Sequence, residues 1–316
     1  MSGAPVPFTS ETWPIAAAML PFPDAHDAGP DAWLAHLAEV AFEGFTEVDL
    51  TDSWVRVGDL DRDARDRLAD ALRRSGLEPV AVSAIRRSVV DPADGAANLA
   101  YSHRTIDAAA ELGCGVVSVG LHRPLTPAQR AALWFWTVDG PRDDPADRDL
   151  AVRRLRELAT HAADVGVRLS LEMYEDTFLG SADSAVRLVH EIDHPAVGLN
   201  PDLGNLYRLH REIEPFLAAV AACAPLANYW HVKSYHRDDD PVTGAVTAVP
   251  APMYAGSMDW RTALRTAVAA GFDAPLCVEH YGGDGLAVMA ENRTYLRRVL
   301  AAVTGEALAA VLGSAR

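Results

Sequence analysis

Lysine is almost absent from this chain: Lys233 is its only one, against 27 arginines. Cations of both kinds number 28 against 44 Asp and Glu, a formal net charge of −16. Such a surface repels phosphate backbones and anionic lipid, so neither nucleic acid nor a membrane is an expected partner. Cysteine is scarce too. Cys114, Cys223 and Cys277 stand far apart and form no CxxC pair. That excludes a disulfide framework and a thiolate zinc site, and it suits a reducing cytoplasm. No apolar run is long enough to span a bilayer, and no basic segment followed by an apolar core opens the chain, so no signal peptide is expected. What remains is a cytoplasmic protein acting on a neutral or locally neutralised small molecule.

Apolar residues are plentiful, 49% of 316, and they are patterned. Short β-type runs alternate with Ala/Leu/Arg-rich helical runs. The strands are expected at Ile15–Leu20, Glu47–Leu50, Pro79–Ala84, Val116–Leu121, Arg168–Glu172, Val197–Asn200, Asn228–Val232 and Leu276–Glu279. The helices are expected at Asp31–Glu43, Asp61–Ser75, Asn98–Leu112, Asp147–Val165, Ser184–Ile192, Glu212–Ala222, Trp260–Ala270 and Gly285–Leu300. Asp31, Asp61, Ser184 and Asp259 lie near helix starts, where short polar side chains cap free N–H groups. Eight strand–helix units read as a (β/α)8 TIM barrel, an α/β fold, in one domain over 1–316, the barrel about 13–303 and a tail 304–316. Long loops are expected after strands 4 (His122 to about Ala146) and 7 (Lys233 to about Met258), at the face where such barrels place their sites.

Side chains alternate along a strand. Ser170 and Glu172 therefore share a face, as do Gly198, Asn200 and Asp202, then Tyr229, His231 and Lys233, then Cys277 and Glu279. Four consecutive strands thus end in Glu172, Asp202, His231 and Glu279. A carboxylate at a strand end is usually a loop ion pair or a helix cap. Three at one barrel mouth, with only Lys233 and Arg237 nearby, would repel severely, and a divalent cation is the simplest remedy. Three oxygens and one imidazole suit Mn²⁺ first, with Mg²⁺ or Co²⁺ as alternatives. Such an ion leaves coordination sites for a hydroxyl and a carbonyl of a sugar, whose shared C–H it acidifies. Glu172, Glu279 or a histidine then moves the proton. His122 follows Ser118 and Gly120 in inward parity and is the candidate proton carrier.

These residues resemble the xylose-isomerase-like (sugar phosphate isomerase/epimerase) barrels, most specifically in "LSLEMYE", "VGLNPDLGNL", "YWHVKSYHR" and "LCVEHYGG". The resemblance implies one divalent metal on Glu172, Asp202, His231 and Glu279, and a substrate contact from Arg237, six residues after the metal histidine. Asn205 stands where the epimerases carry a histidine, three residues after the metal aspartate. Within the superfamily the chain looks most like the larger, metal-binding subunit of bacterial C-glycoside deglycosidases. That likeness implies a lyase acting on 3-oxo-C-glycosides with an aromatic aglycone, assisted by a small second subunit; the alternative is a sugar isomerase or ketose 3-epimerase. Trp134 and Trp136, in the loop after strand 4, are expected either to stack on a flat aglycone or to anchor their loop. Tyr174, Lys233 and Asn205 are further expected substrate contacts. A DNA-repair endonuclease on the same barrel would need many more ligands and a basic groove.

Overall fold

The computed structural model describes residues 7–313; residues 1–6 and 314–316 of the expected domain lie outside the described residues. Ten strands are present: β1 Ile15–Ala18, β2 Glu47–Asp49, β3 Glu78–Ala84, β4 Val116–Gly120, β5 Arg168–Glu172, β6 Val197–Asn200, β7 Trp230–Val232, β8 Ser234–Asp239, β9 Val246–Ala251 and β10 Leu276–Val278. The helices are α1 Pro30–Phe42, α2 Arg62–Ser75, α3 Gly95–Leu112, α4 Pro127–Ala131, α5 Arg148–Asp164, α6 Ala182–Ile192, α7 Leu203–Tyr207, α8 Phe216–Cys223, α9 Trp260–Ala269, α10 Gly285–Val303 and α11 Glu306–Gly313.

Eight strands pair in parallel in the order β6-β5-β4-β3-β2-β1-β10-β7. A single bridge, Leu199 to Ala227, joins the two ends and closes the barrel. These strands are short, Val/Ala/Leu-rich and buried on both faces, as a helix-wrapped parallel sheet requires. Large apolar side chains, among them Trp13, Leu37, Trp54, Leu155, Trp230 and Trp260, fill the layer between barrel and helices. Each contributes roughly 1.5–3 kcal/mol of transfer free energy or more. Inside the barrel a smaller cluster of Ala16, Ala18, Ala81, Val116, Tyr229 and Cys277 forms the floor. Polar residues sit one pleat further along the strands: Ser83, Ser118, Ser170, Asn200 and His231, all buried.

Two of the expected caps are found, and Asp31 is not one of them: α1 starts at Pro30 behind Gly29 with no side-chain cap. Asp61 accepts from Ala64 N and Asp259 from Thr262 N, while α6 is capped by Ser181 rather than Ser184. The helix expected from Glu212 starts at Phe216, because Pro215 tolerates only the entrance of a helix. The expected loop after strand 7 is instead an antiparallel hairpin, β8 with β9, register Ser234 to Ala251. Its strands alternate only weakly in polarity, which hid them. The connection after β4 holds α4, closed by a Thr126–Gln129 capping box, and two short 3-10 turns. Among the described residues no helix is long and apolar enough to cross a membrane.

Candidate metal centre at the barrel mouth

Register and strand ends bring the four expected ligands together. Glu172 ends β5, and His231 pairs across to Cys277 one pleat before Glu279. Asp202 lies two residues past β6, where Pro201 turns the chain and Asp202 precedes α7. Ligand atoms of Glu172, Asp202 and His231 lie within 4.8 Å of one another, all buried. Glu279 Oε1 is 2.7 Å from His231 Nδ1. Three atoms of this group, Glu172 Oε2, Asp202 Oδ1 and His231 Nδ1, are buried without a hydrogen-bond partner. Partnerless buried acceptors cost free energy unless something fills the gap between them. A divalent cation fits that donor set: hard oxygens plus one imidazole, without a thiolate.

A second group, Asp49, His231 and Cys277, is equally compact but fits an ion poorly. Burial pushes the Cys277 thiol well above its ordinary pKa. Asp49 Oδ2 already accepts from Ser83 Oγ at 2.7 Å and Tyr229 OH at 2.5 Å. Asp49 instead orients the ligand: its Oδ2 lies 3.6 Å, and Ser83 Oγ 3.1 Å, from His231 Nε2. That leaves Nδ1 facing Glu172 and Glu279, the outer-sphere arrangement common behind metal histidines. His231 N also donates to Asn200 Oδ1 at 2.7 Å.

Lys233 reaches the same point. Its ammonium lies 2.5 Å from Asp202 Oδ2 and 2.5 Å from Glu279 Oε2. Gly204 permits this, since a Cβ there would stand 2.5 Å from Lys233 Cγ. Burial depresses an ammonium, yet the two carboxylates hold the Lys233 pKa well above ordinary. Burial pushes Asp202 up to about 7 against the pull of Lys233. Burial also opposes the charge on Glu279 and Glu172, but Lys233 and His231 hold Glu279 well below the usual range, and His122 and His231 hold Glu172 below it.

His122, as parity required, points inward. It is buried, its Nε2 lies 3.4 Å from Glu172 Oε1, and its ring packs 3.8 Å from that of Tyr174. Gly120 makes room: a Cβ there would meet His122 Nδ1 at 2.1 Å. Asn205 donates to Asp202 Oδ2, Met173 O and Glu172 Oε1 at 2.9, 3.0 and 3.3 Å. Above the ligands lies a cavity of ≈ 10 Å³ bounded by Thr51, Arg86, His122, Tyr174, Asn205 and Tyr281. It holds about one water and no sugar.

One expectation is corrected, and an open one is decided. Arg237 does not line this cavity. Its guanidinium donates to Tyr207 O, Leu209 O and Arg211 O and pairs with Asp239, so it clamps the chain before α8. Of the two expectations for Trp134 and Trp136, the structure shows the loop anchor. They stack on each other at 4.9 Å, and Trp136, buried, sets its edge against Tyr235 and Tyr281. The loop anchors itself to its own barrel. Residues that sequence reading passed over complete the roof. Arg208, fully buried, pairs with Glu175 and lies 4.8 to 5.6 Å from the rings of Phe135, Trp136, Tyr281 and Tyr174. Arg86, at φ 54, spans from Arg123 O to Tyr174 OH. The parity rule applied to strands 2 and 3 would have found Asp49 and Ser83; no local pattern marks Arg208.

A model described as xylose isomerase-like TIM barrel matches residues 34–299. No curated protein matches the chain. A xylose isomerase-like TIM barrel protein from Mycobacterium smegmatis, solved in complex with magnesium, is 44% identical, with a TM-score of 0.91 over 94% of this chain and 99% of that one. An L-ribulose 3-epimerase is 15% identical (TM-score 0.71, covering 95% and 98%). A 3-keto-D-glucoside 4-epimerase from E. coli is 17% identical (TM-score 0.65, covering 91% and 100%). The last two share the fold.

Proposed function

The chain belongs to the xylose isomerase-like TIM barrel family, and from that premise we propose a divalent-metal-dependent enzyme that moves a proton at a sugar carbon beside a carbonyl. The observation that carries this is the set of partnerless ligand atoms on Glu172, Asp202 and His231, with Glu279 alongside. A bound Mn²⁺ or Mg²⁺ would polarise adjacent hydroxyl and carbonyl oxygens. The chain's own groups do the rest. Glu172 and Glu279, both held ionised, are the candidate bases. A proton taken by Glu172 has His122 Nε2 3.4 Å away as its next carrier. Lys233 keeps Asp202 and Glu279 in place, and Tyr174 lines the cavity beside His122.

One step finer, we read the reaction as C–C bond cleavage in 3-oxo-C-glycosides. The base removes the C2 proton, the electron pair forms a C1=C2 double bond conjugated with the 3-oxo group, and the C1–aryl bond breaks as the aglycone carbon is protonated. Asn205 supports this reading over ketose epimerisation. Its amide is committed to Glu172, Asp202 and a carbonyl, so that wall carries no second proton carrier. The named substrate of the E. coli epimerase carries the same 3-oxo group, on a protein that shares only the fold. A small second subunit is part of the proposal. Incubation with Mn²⁺ or Mg²⁺ and a 3-oxo-C-glucoside, with and without a small companion protein encoded beside it, tests it. Aglycone release supports the lyase; no release together with epimerisation of free ketoses replaces it with the epimerase.

A further inference from the structure

We propose that the substrate has two parts, and that a groove beside the metal centre takes the second: a neutral, flat, apolar group joined to the sugar. This rests on the sugar reading of the metal centre. The groove, ≈ 750 Å³, runs between α1 and the turn after β10. Leu20 and Tyr281 line both it and the inner cavity, so one side-chain layer separates the two. The inner cavity, ≈ 10 Å³, is far too small for more than the reacting atoms. The other pocket that shares a wall with this cavity, through Arg86 and Tyr174, is itself only ≈ 10 Å³, so the groove is the neighbouring space with room for a group attached to the sugar.

The lining defines the ligand class. Pro21, Phe22, Phe42 and Leu286 supply apolar surface, and Phe42, 90% exposed, is open to a ligand. Glu39, Glu43 and Asp284 supply acceptors. Among the described residues no lysine or arginine lines the groove. Phosphate and carboxylate groups are therefore rejected, while phenolic hydroxyls have carboxylates to donate to. A second copy of this chain fits less well, because a two-fold contact here would oppose the same carboxylates. The aglycone site is thus the groove rather than the indoles of Trp134 and Trp136.

The test is equilibrium binding to the Mg²⁺-loaded full chain of three probes: D-glucose, phenyl β-D-glucoside and 4-carboxyphenyl β-D-glucoside. The phenyl glucoside is expected to bind about tenfold tighter than glucose, and the carboxyphenyl compound is expected to lose that gain. Phe42→Ser, at an exposed position that leaves the fold intact, is expected to erase the phenyl gain and leave glucose unchanged. Equal affinity for glucose and phenyl glucoside overturns the proposal. So does Phe42→Ser changing only the sedimentation behaviour, which would assign the groove to a second copy. Glu172→Gln separates the two readings: loss of glucose affinity with retention of the Phe42-dependent phenyl gain keeps the groove, whereas unchanged glucose affinity sinks the metal-centre reading alone.

Discussion

At the residue scale, Lys233 bears the most weight. It is the only lysine, and it pairs with two carboxylates that are also candidate ligands. Lys233→Met leaves Asp202 and Glu279 buried without their partner, and breaking a buried pair costs about 3–5 kcal/mol. Chemical denaturation of the ion-free variant should show that loss, and divalent cation should restore more stability to the variant than to wild type. Asp202→Ala is expected to weaken Mn²⁺ or Mg²⁺ binding more than ~100-fold by calorimetry, beyond the 10–100-fold typical when a supporting group is lost. Unaltered uptake would refute the assigned ligand set. The ligands were legible because strand parity and carboxylate repulsion act locally and can be counted along the chain. Arg208 was not legible: its place depends on four rings from three distant segments, and nothing beside it in sequence shows that it will be buried.

At the scale of elements, alternation of apolar runs placed all eight barrel strands to within a few residues. It failed for β8 and β9, which pair outside the barrel with one exposed face, and for α7, a five-residue helix too short to show a period. The loop after β4 was read as long, and so it is, but what it packs against depends on tertiary contacts. Trp136→Ala should release it, costing roughly 3–5 kcal/mol if the cavity does not refill. Limited proteolysis between residues 123 and 146 should quicken accordingly. Asp52, just past β2, accepts from Ile85 N and gives a pH test. Burial raises it from 3.8 to about 7, against Ile85 N–H and Arg87. The folded state therefore binds the extra proton. Its stabilising contribution is complete below pH 3.8 and is lost as pH rises through about 7. Asp52→Asn should then raise Tm at pH 8, by at most ~4 kcal/mol in stability, and change little at pH 4. An equal gain at both pH values would place the effect elsewhere.

At the scale of the whole molecule, the barrel's lacing is thinnest between β6 and β7. There one backbone bridge, Leu199 to Ala227, and the Asn200 side-chain amide, whose Oδ1 accepts from His231 N, stand in for a ladder. Asp202 follows the first of these strands and His231 belongs to the second. A cation gripped by both would rivet the hoop at its thinnest stave. Amide exchange at Asn228 and His231 should slow on adding Mg²⁺ while exchange in β3 and β4 stays as it was, so the ion would be mechanical hardware as well as a reagent.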